Sequence, residues 1–268
     1  MTTQGPSTSS QLAPGEHVHT VDEHGARVQH MFSDIAHGYD RANRIMSLGT
    51  DIRWRRQAVS DLLPEELRAA AEAAGRRPRL LDLCAGTLDS CIEIHRQFPT
   101  ADVIGGDFSA KMLARGREKL RGAERERITT RDMDAHNLPE DDQSLDGMFC
   151  AFGVRNLSDL DRATAEMARC LRPGGRLTVL EFFRPQGLVT RVVHTLHNRT
   201  VLPIVGWAAT GNLGAYLYLP RSIGGFVTVE EYRALLERHG FGDITLTRLT
   251  LGIAWVVRAT RRAEVPSS

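Results

Sequence analysis

From residue 79 onward, short apolar runs alternate with stretches of helical spacing. Arg79–Leu83, Val103–Gly106, Arg127–Thr130, Asp146–Phe152 and Arg176–Phe182 are brief and mostly rich in Leu, Ile and Val, the signature of buried strands. Thr87–Phe98, Ala110–Leu120 and Leu160–Leu171 lie between them with helical periodicity. Strand–helix alternation through short turns predicts right-handed crossovers and a parallel sheet covered on both faces. Upstream, Val28–Ile35 and Ile52–Leu63 read as helices, and alanine-rich Glu65–Ala74 stops at Gly75. The rhythm breaks between Arg184 and Thr228, where Pro, Gly, Asn, Trp and Tyr occur without clean periodicity, as in an inserted lid or pocket wall. Val229–His239 is again helical and stops at Gly240, and Asp243–Leu249 with Gly252–Arg258 resembles a closing antiparallel hairpin.

The expected fold is therefore α/β: a doubly wound, Rossmann-like, seven-stranded and mostly parallel sheet, with a C-terminal antiparallel hairpin and a helical insertion after the fifth strand. Residues 1–26, rich in Ser, Thr, Gln and Gly at their start, read as a disordered tail. Residues 27–260 read as one domain, with 27–75 a helical cap and 184–228 the substrate-side insertion, and 261–268 as a flexible tail.

Composition narrows the function. A chain of 268 residues with Lys+Arg 34 against Asp+Glu 33 has no basic excess to steer it onto nucleic acid. The cysteines Cys84, Cys91, Cys150 and Cys170 show no CxxC pair and no zinc-ligand spacing, so no metal is expected, and they suit a reducing compartment. The N-terminus lacks the charged and apolar regions of a secretory signal, and no apolar stretch reaches the roughly 20 residues that span a bilayer. A cytoplasmic location is expected.

Leu80-Leu81-Asp82-Leu83-Cys84-Ala85-Gly86-Thr87 joins the first strand to its turn. Glycine there lets the backbone approach a ligand, and the next helix points its N-terminus at it. Dinucleotide-binding domains share this arrangement, but Asp82 begins a D-x-x-x-G pattern in place of G-x-G-x-x-G, which tilts the reading to S-adenosylmethionine. Asp107 ends the second strand, where a carboxylate accepts from both ribose hydroxyls, and Asp132-Met133-Asp134-Ala135 follows the third strand, where the loop meets adenine. Singly, each acid could equally cap a helix or face solvent in a turn.

A sharper signal comes at Ala151-Phe152-Gly153-Val154-Arg155-Asn156-Leu157. Together with Met31-Phe32-Ser33-Asp34-Ile35-Ala36, Tyr39-Asp40, Asn43, Ser47-Leu48-Gly49, Trp54-Arg55, Leu171-Arg172-Pro173-Gly174-Gly175-Arg176, Leu180-Glu181-Phe182, Leu202-Pro203, Gly206, Tyr216-Leu217-Tyr218-Leu219 and Ser222-Ile223, it resembles the ubiquinone/menaquinone biosynthesis C-methyltransferase family of class I methyltransferases, over about Val28 to Arg258. The resemblance implies transfer of a methyl group from S-adenosyl-L-methionine to a ring carbon of a prenylated quinol, most often demethylmenaquinol. It implies Thr87, Asp107, Asp134 and Ala135 as cofactor contacts, with a further contact falling on Ala151, often Ser in the family. With the turn residues Asp82 and Gly86 and with Phe108 they complete the expected cofactor set. The resemblance also implies a substrate held at the membrane. Val-, Leu- and basic-rich sequence near 188–199 offers an amphipathic helix for transient surface contact at the inner face of the membrane, although such helices more often pack on their own domain. A homodimer through the insertion is an option that no direct feature supports.

One position departs from the family. Its turn is commonly G-G-T-G-D, whereas here it is Ala85-Gly86-Thr87-Leu88-Asp89. If residue 88 needs a positive φ, leucine is strained, and if it needs close approach, leucine crowds the cofactor's methionine part. The favoured expectation is that Leu88 is helical and points into the core.

For the chemistry, Arg155 and Asn156 are the catalytic candidates. A guanidinium holds a developing phenolate without acting as a base at neutral pH, and the amide positions a ring oxygen. The competing role for Arg155 is an ion pair with Asp159 or Asp40. Glu181 either takes a proton or caps a loop. Tyr39, Tyr216 and Tyr218 are the candidate substrate contacts, with core packing as the alternative. Three rival functions remain: a class I methyltransferase of a soluble phenol or natural product, a non-catalytic prenyl-quinone or cofactor-binding module, and a nicotinamide oxidoreductase, which the absence of G-x-G-x-x-G disfavours.

Overall fold

The computed structural model describes residues 30, 44, 47, 49–186 and 221–263. Among the described residues, the helices α1 (Thr50–Val59) and α2 (Glu65–Ala73) precede the sheet. Then follow β1 (Arg79–Leu83), α3 (Asp89–Gln97), β2 (Asp102–Asp107), α4 (Ala110–Lys119), the single turn α5 (Glu124–Arg127), β3 (Ile128–Asp132) and β4 (Leu145–Ala151). A 3₁₀ turn at Val154–Asn156 leads to α6 (Leu160–Cys170) and β5 (Leu171–Glu181), and α7 (Val229–Arg238), β6 (Phe241–Leu249) and β7 (Ala254–Arg261) complete the domain.

The seven strands lie in the order β3-β2-β1-β4-β5-β7-β6. The first five are parallel, and β7 pairs antiparallel with both β5 and β6. Strand order reverses between β1 and β4, which opens a crevice at their carboxyl ends, the place where open α/β sheets bind ligands. Each face of the sheet carries its own core. Met167 of α6 and Tyr232, Leu235 and Leu236 of α7 pack on one face, and Trp54 and Ala58 of α1, Cys91 and Ile94 of α3 and Leu113 of α4 on the other. The strands are apolar on both faces because both are covered.

Two boundaries differ from expectation. β5 begins at Leu171, five residues before the apolar run: Leu145 pairs with Leu171, then Gly147 with Arg176, so Pro173-Gly174-Gly175 forms a bulge inside the strand. β7 extends to Arg261, past the expected domain end. Tyr39, Tyr216, Tyr218, the 1–26 tail, the Val28–Ile35 helix apart from His30, and most of the 184–228 insertion, including its amphipathic stretch, lie outside the described residues.

Candidate active site

The turn after β1 is fastened to the end of β2. Ala85 N–H donates to the Gly106 carbonyl at 2.9 Å, and Gly86 N–H to Asp107 Oδ2 at 2.8 Å. Asp107 Oδ1 accepts from Ser109 N–H at 2.8 Å, while Ser109 Oγ caps α4. One carboxylate thus clips together the Gly-containing turn and the start of the next helix. Gly86 has φ 53, and so does not bear a side chain lightly, and Cys84 and Leu88 on either side also have positive φ, at 59 and 66. Two non-glycine residues in this region store strain in a tight turn, as functional turns often do.

Asp82 and Asp107 are almost wholly buried. Burial pushes the Asp82 carboxyl up to about 7, opposed by the hydrogen bond from Cys91. It pushes Asp107 up to about 6, opposed by the Ser109 and Gly86 amides. Asp82 Oδ2 accepts from Cys91 Sγ at 3.1 Å, but its Oδ1 is buried with no partner among the described residues. An unsatisfied buried carboxylate oxygen is costly and calls for a donor.

Leu88 corrects the sequence expectation. It is not helical: it is the left-handed residue before α3. Its side chain nonetheless enters the core and is fully buried. Space is made by two glycines. A Cβ on Gly105 would stand 2.8 Å from Leu88 Cδ2, and one on Gly116 would collide with Leu88 Cγ. The strain at φ 66 is therefore offset by burial of a leucine side chain.

Past β3, Asp134 Oδ1 accepts from the backbone N–H of His136 at 2.9 Å and meets His136 Nδ1 at 2.6 Å. Ala135 is buried beside it. Thr87 is buried in the first turn, and Phe108 and Ala151 are half-buried at the ends of β2 and β4. The expected cofactor residues thus come from the carboxyl edges of four adjacent strands.

On the other side of the crevice, Arg155 pairs with Glu181, a partner the sequence reading did not name. Arg155 Nη1 lies 2.6 Å from Glu181 Oε1, with side chains 7% and 0% exposed. Glu181 also accepts from Phe182 N–H at 2.7 Å and Arg155 N–H at 3.3 Å. Burial pushes its carboxyl up while the Arg155 charge pulls it down, burial being the larger. Asp159 instead caps α6 by accepting from Arg162 N–H, and Asp40 lies outside the described residues. Asn156 Nδ2 donates to the Phe152 carbonyl at 3.2 Å, which also accepts from Arg155 Nη1 at 2.8 Å.

An aromatic wall adjoins this pair. The Phe152 and Phe182 rings stack with centroids 4.7 Å apart, Trp54 meets Phe182 edge-on at 6.2 Å, and the Arg155 guanidinium lies 5.7 Å from the Phe182 centroid. Phe152 has φ 56, rare for a bulky residue, which turns the chain sharply at the end of β4. Sequence reasoning did not single out these rings or His136 as site residues. Phe152 and Phe182 stood inside quoted motifs, but nothing along the chain shows that they stack.

The profile of the ubiE/COQ5 methyltransferase family matches residues 20–261. The chain belongs to the ubiE/COQ5 methyltransferase family. It is 41% identical to a demethylmenaquinone methyltransferase of Deinococcus radiodurans, over 87% of this chain and 92% of that one. It is 38% identical to a ubiquinone/menaquinone biosynthesis C-methyltransferase of Geobacter sulfurreducens, over 89% and 90%. A solved methyltransferase of Thermotoga maritima shares the fold at TM-score 0.58 and 19% identity, covering 87% of this chain and 99% of that one. Human N-acetylserotonin methyltransferase shares it at TM-score 0.53 and 15% identity, over 87% and 59%.

This methyltransferase is an S-adenosylmethionine-dependent C-methyltransferase. Its residues fit that cofactor. Asp107 lies at the strand end suited to a ribose diol, and Asp82 Oδ1 is a buried acceptor with no donor among the described residues, suited to a cation such as the cofactor's ammonium group. Leu88 is packed into the core, so it leaves no crowding side chain at the turn.

Proposed function

We propose that this methyltransferase acts on a prenylated quinol, demethylmenaquinol, and methylates it at a ring carbon. The observation that carries this reading is the near-full-length likeness to the Deinococcus radiodurans demethylmenaquinone methyltransferase. The aromatic wall of Phe152 and Phe182 beside Arg155 supports it, since a flat, electron-rich ring packs on such a surface and its oxygen suits a guanidinium.

S-adenosylmethionine supplies the electrophilic methyl group on its sulfonium. In this reading Asp107 accepts from the ribose hydroxyls, Asp134 accepts from the adenine amino group, and Asp82 faces the ammonium end. Gly86, Thr87, Phe108, Ala135 and Ala151 shape the walls of the pocket. Arg155 stabilises negative charge on the quinol oxygen, which raises the electron density of the ring carbon that takes the methyl group. Both oxygens of Glu181 are engaged, Oε1 by Arg155 Nη1 and the Phe182 amide and Oε2 by the Arg155 amide, so it serves to aim Arg155. Asn156 positions the ring edge, and Tyr39, Tyr216 and Tyr218 complete the substrate side.

Among the described residues no helix is long and apolar enough to cross a membrane. The quinol's tail lies in the bilayer, so the enzyme works from the cytoplasm by transient contact with the membrane surface. The test is methyl transfer from S-adenosylmethionine to demethylmenaquinols of short and long prenyl tails, followed by mass spectrometry. The expected result is one added methyl group on the naphthoquinol ring. Transfer only to soluble phenols, or no transfer by a sample that binds the cofactor, would overturn the reading.

A further inference from the structure

His136 stands behind Asp134, and its ring is locked in one tautomer. Its Nε2 meets the backbone N–H of Asp159 at 3.2 Å, with Ser158 Oγ at 3.5 Å. A backbone amide can only donate, so Nε2 presents its lone pair and, in the neutral ring, the proton sits on Nδ1. That proton points at Asp134 Oδ1, 2.6 Å away. The same oxygen takes the His136 backbone N–H at 2.9 Å, which leaves Oδ2 as the oxygen available to a ligand. The His136 carbonyl accepts from Arg162 Nε at 2.8 Å. One residue therefore ties the loop after β3 to the start of α6. Its side chain and that of Asp134 are 17% and 20% exposed, so both are partly accessible and neither is deep core.

We propose that His136 is a positioning residue that makes the site selective for a 6-amino purine. The proposal rests on the reading of Asp134 as the adenine contact. A carboxylate clamped on Oδ1 presents Oδ2 in one place, where the adenine amino group donates to it. A 6-oxo purine puts an acceptor there and is repelled. An unclamped carboxylate can shift to accept from the N1–H of a 6-oxo purine, so loss of the clamp erodes discrimination as well as affinity.

The experiment is calorimetric titration of the full chain with S-adenosylhomocysteine and S-inosylhomocysteine, for the parent protein and for Asp134→Asn, His136→Ala and His136→Asn. Thermal unfolding of each sample reports folding. His136→Ala should weaken the adenosyl ligand by about tenfold, the size of one lost charge-assisted hydrogen bond, and narrow the adenosyl-to-inosyl ratio. His136→Asn, whose side-chain N–H stands where Nδ1–H stands, should restore most of both. Unchanged binding in His136→Ala overturns the proposal. So does an equal loss for both ligands with no recovery in His136→Asn, which assigns the residue to loop packing. Unchanged binding in Asp134→Asn removes the adenine reading of Asp134, and a folded parent that binds neither ligand removes the cofactor reading; either takes this proposal with it.

Discussion

The branched side chain of Leu88 fills the notch left by Gly116 on α4. A Cβ at residue 116 would collide with Leu88 Cγ and stand 2.9 Å from the carbonyl carbon of Thr87. Gly116→Ala should therefore push the cofactor turn away from α4, at a cost of about 1–3 kcal/mol for overpacking. Leu88→Gly relieves the left-handed strain of about 1–2 kcal/mol but empties a buried site, for which large-to-small losses run to about 2–5 kcal/mol. The net expectation is destabilisation. The double variant should be less unstable than the two losses summed, because the void receives the new methyl group. Urea unfolding of the four proteins measures the coupling, and strict additivity would show that the two residues are independent.

Acidification should weaken cofactor binding. Asp82 rises to about 7 and Asp107 to about 6, both above the ordinary value of about 3.9. Each therefore holds its proton in the native state through a range where the unfolded chain has released it. By linkage, their contribution to stability without ligand falls as pH rises from about 4 to about 7. Hydroxyl and ammonium donors of the ligand favour the ionised forms, so affinity for S-adenosylhomocysteine should fall as pH drops through 7 and then 6. Asp107→Asn should bind weakly and lose the lower part of this dependence. Affinity that stays flat across the range in the parent protein would show that neither carboxylate meets the ligand.

How far the chain betrays its structure depends on the distance over which each feature is decided. β1 is legible to the residue because its apolar run is bounded locally, by Arg77-Pro78 before and the Gly86 turn after. That the first five strands are parallel follows from the alternation, whereas their order in the sheet is set by which way each crossover turns. β5 is misjudged at its start because Pro173-Gly174-Gly175 has turn composition, and only pairing with β4 makes it a bulge. The three acids Asp82, Asp107 and Asp134 are recognisable by position, but burial of the first two, and the absence of a partner for Asp82 Oδ1 among the described residues, belong to the packed fold. Glu181 as the partner of Arg155 is invisible along the sequence. It depends on register, which sets Ala151 against Leu180 and so brings the two strand ends together. The conformation of Leu88 is equally non-local, since it is set by glycines on β2 and α4.

The buried pair of Arg155 and Glu181 should behave as a unit. Arg155→Met removes the charge that opposes burial at Glu181 and leaves a carboxyl at 0% exposure without its side-chain partner, a loss of about 3–5 kcal/mol for breaking a buried pair from one side. Glu181→Gln leaves the guanidinium with a neutral acceptor. The double variant, with both charges gone, should recover a large part of the stability and none of the methyl transfer. Denaturation curves and turnover measured on the same samples separate the two roles. Recovery of activity in the double variant would mean that the charge on Arg155 is not used in the reaction.

Phe182 offers the cleanest separation of substrate binding from the rest of the site. Its ring stacks on Phe152 at 4.7 Å and takes the edge of Trp54, but none of the described cofactor-side hydrogen bonds passes through its side chain. Phe182→Leu keeps the position apolar and should cost less than about 1.5 kcal/mol of stability. It removes the flat face against which a quinol ring would pack, and aromatic pairing contributes about 0.5–1.5 kcal/mol beyond buried area. The KM for the quinol should therefore rise by roughly twofold to tenfold, while the affinity for S-adenosylhomocysteine stays put. Steady-state kinetics against varied quinol, with calorimetry for the cofactor, measure the two quantities separately. An unchanged KM would place the substrate ring elsewhere. A parallel loss of cofactor affinity would mean that the wall supports the pocket as a whole and does not select the substrate.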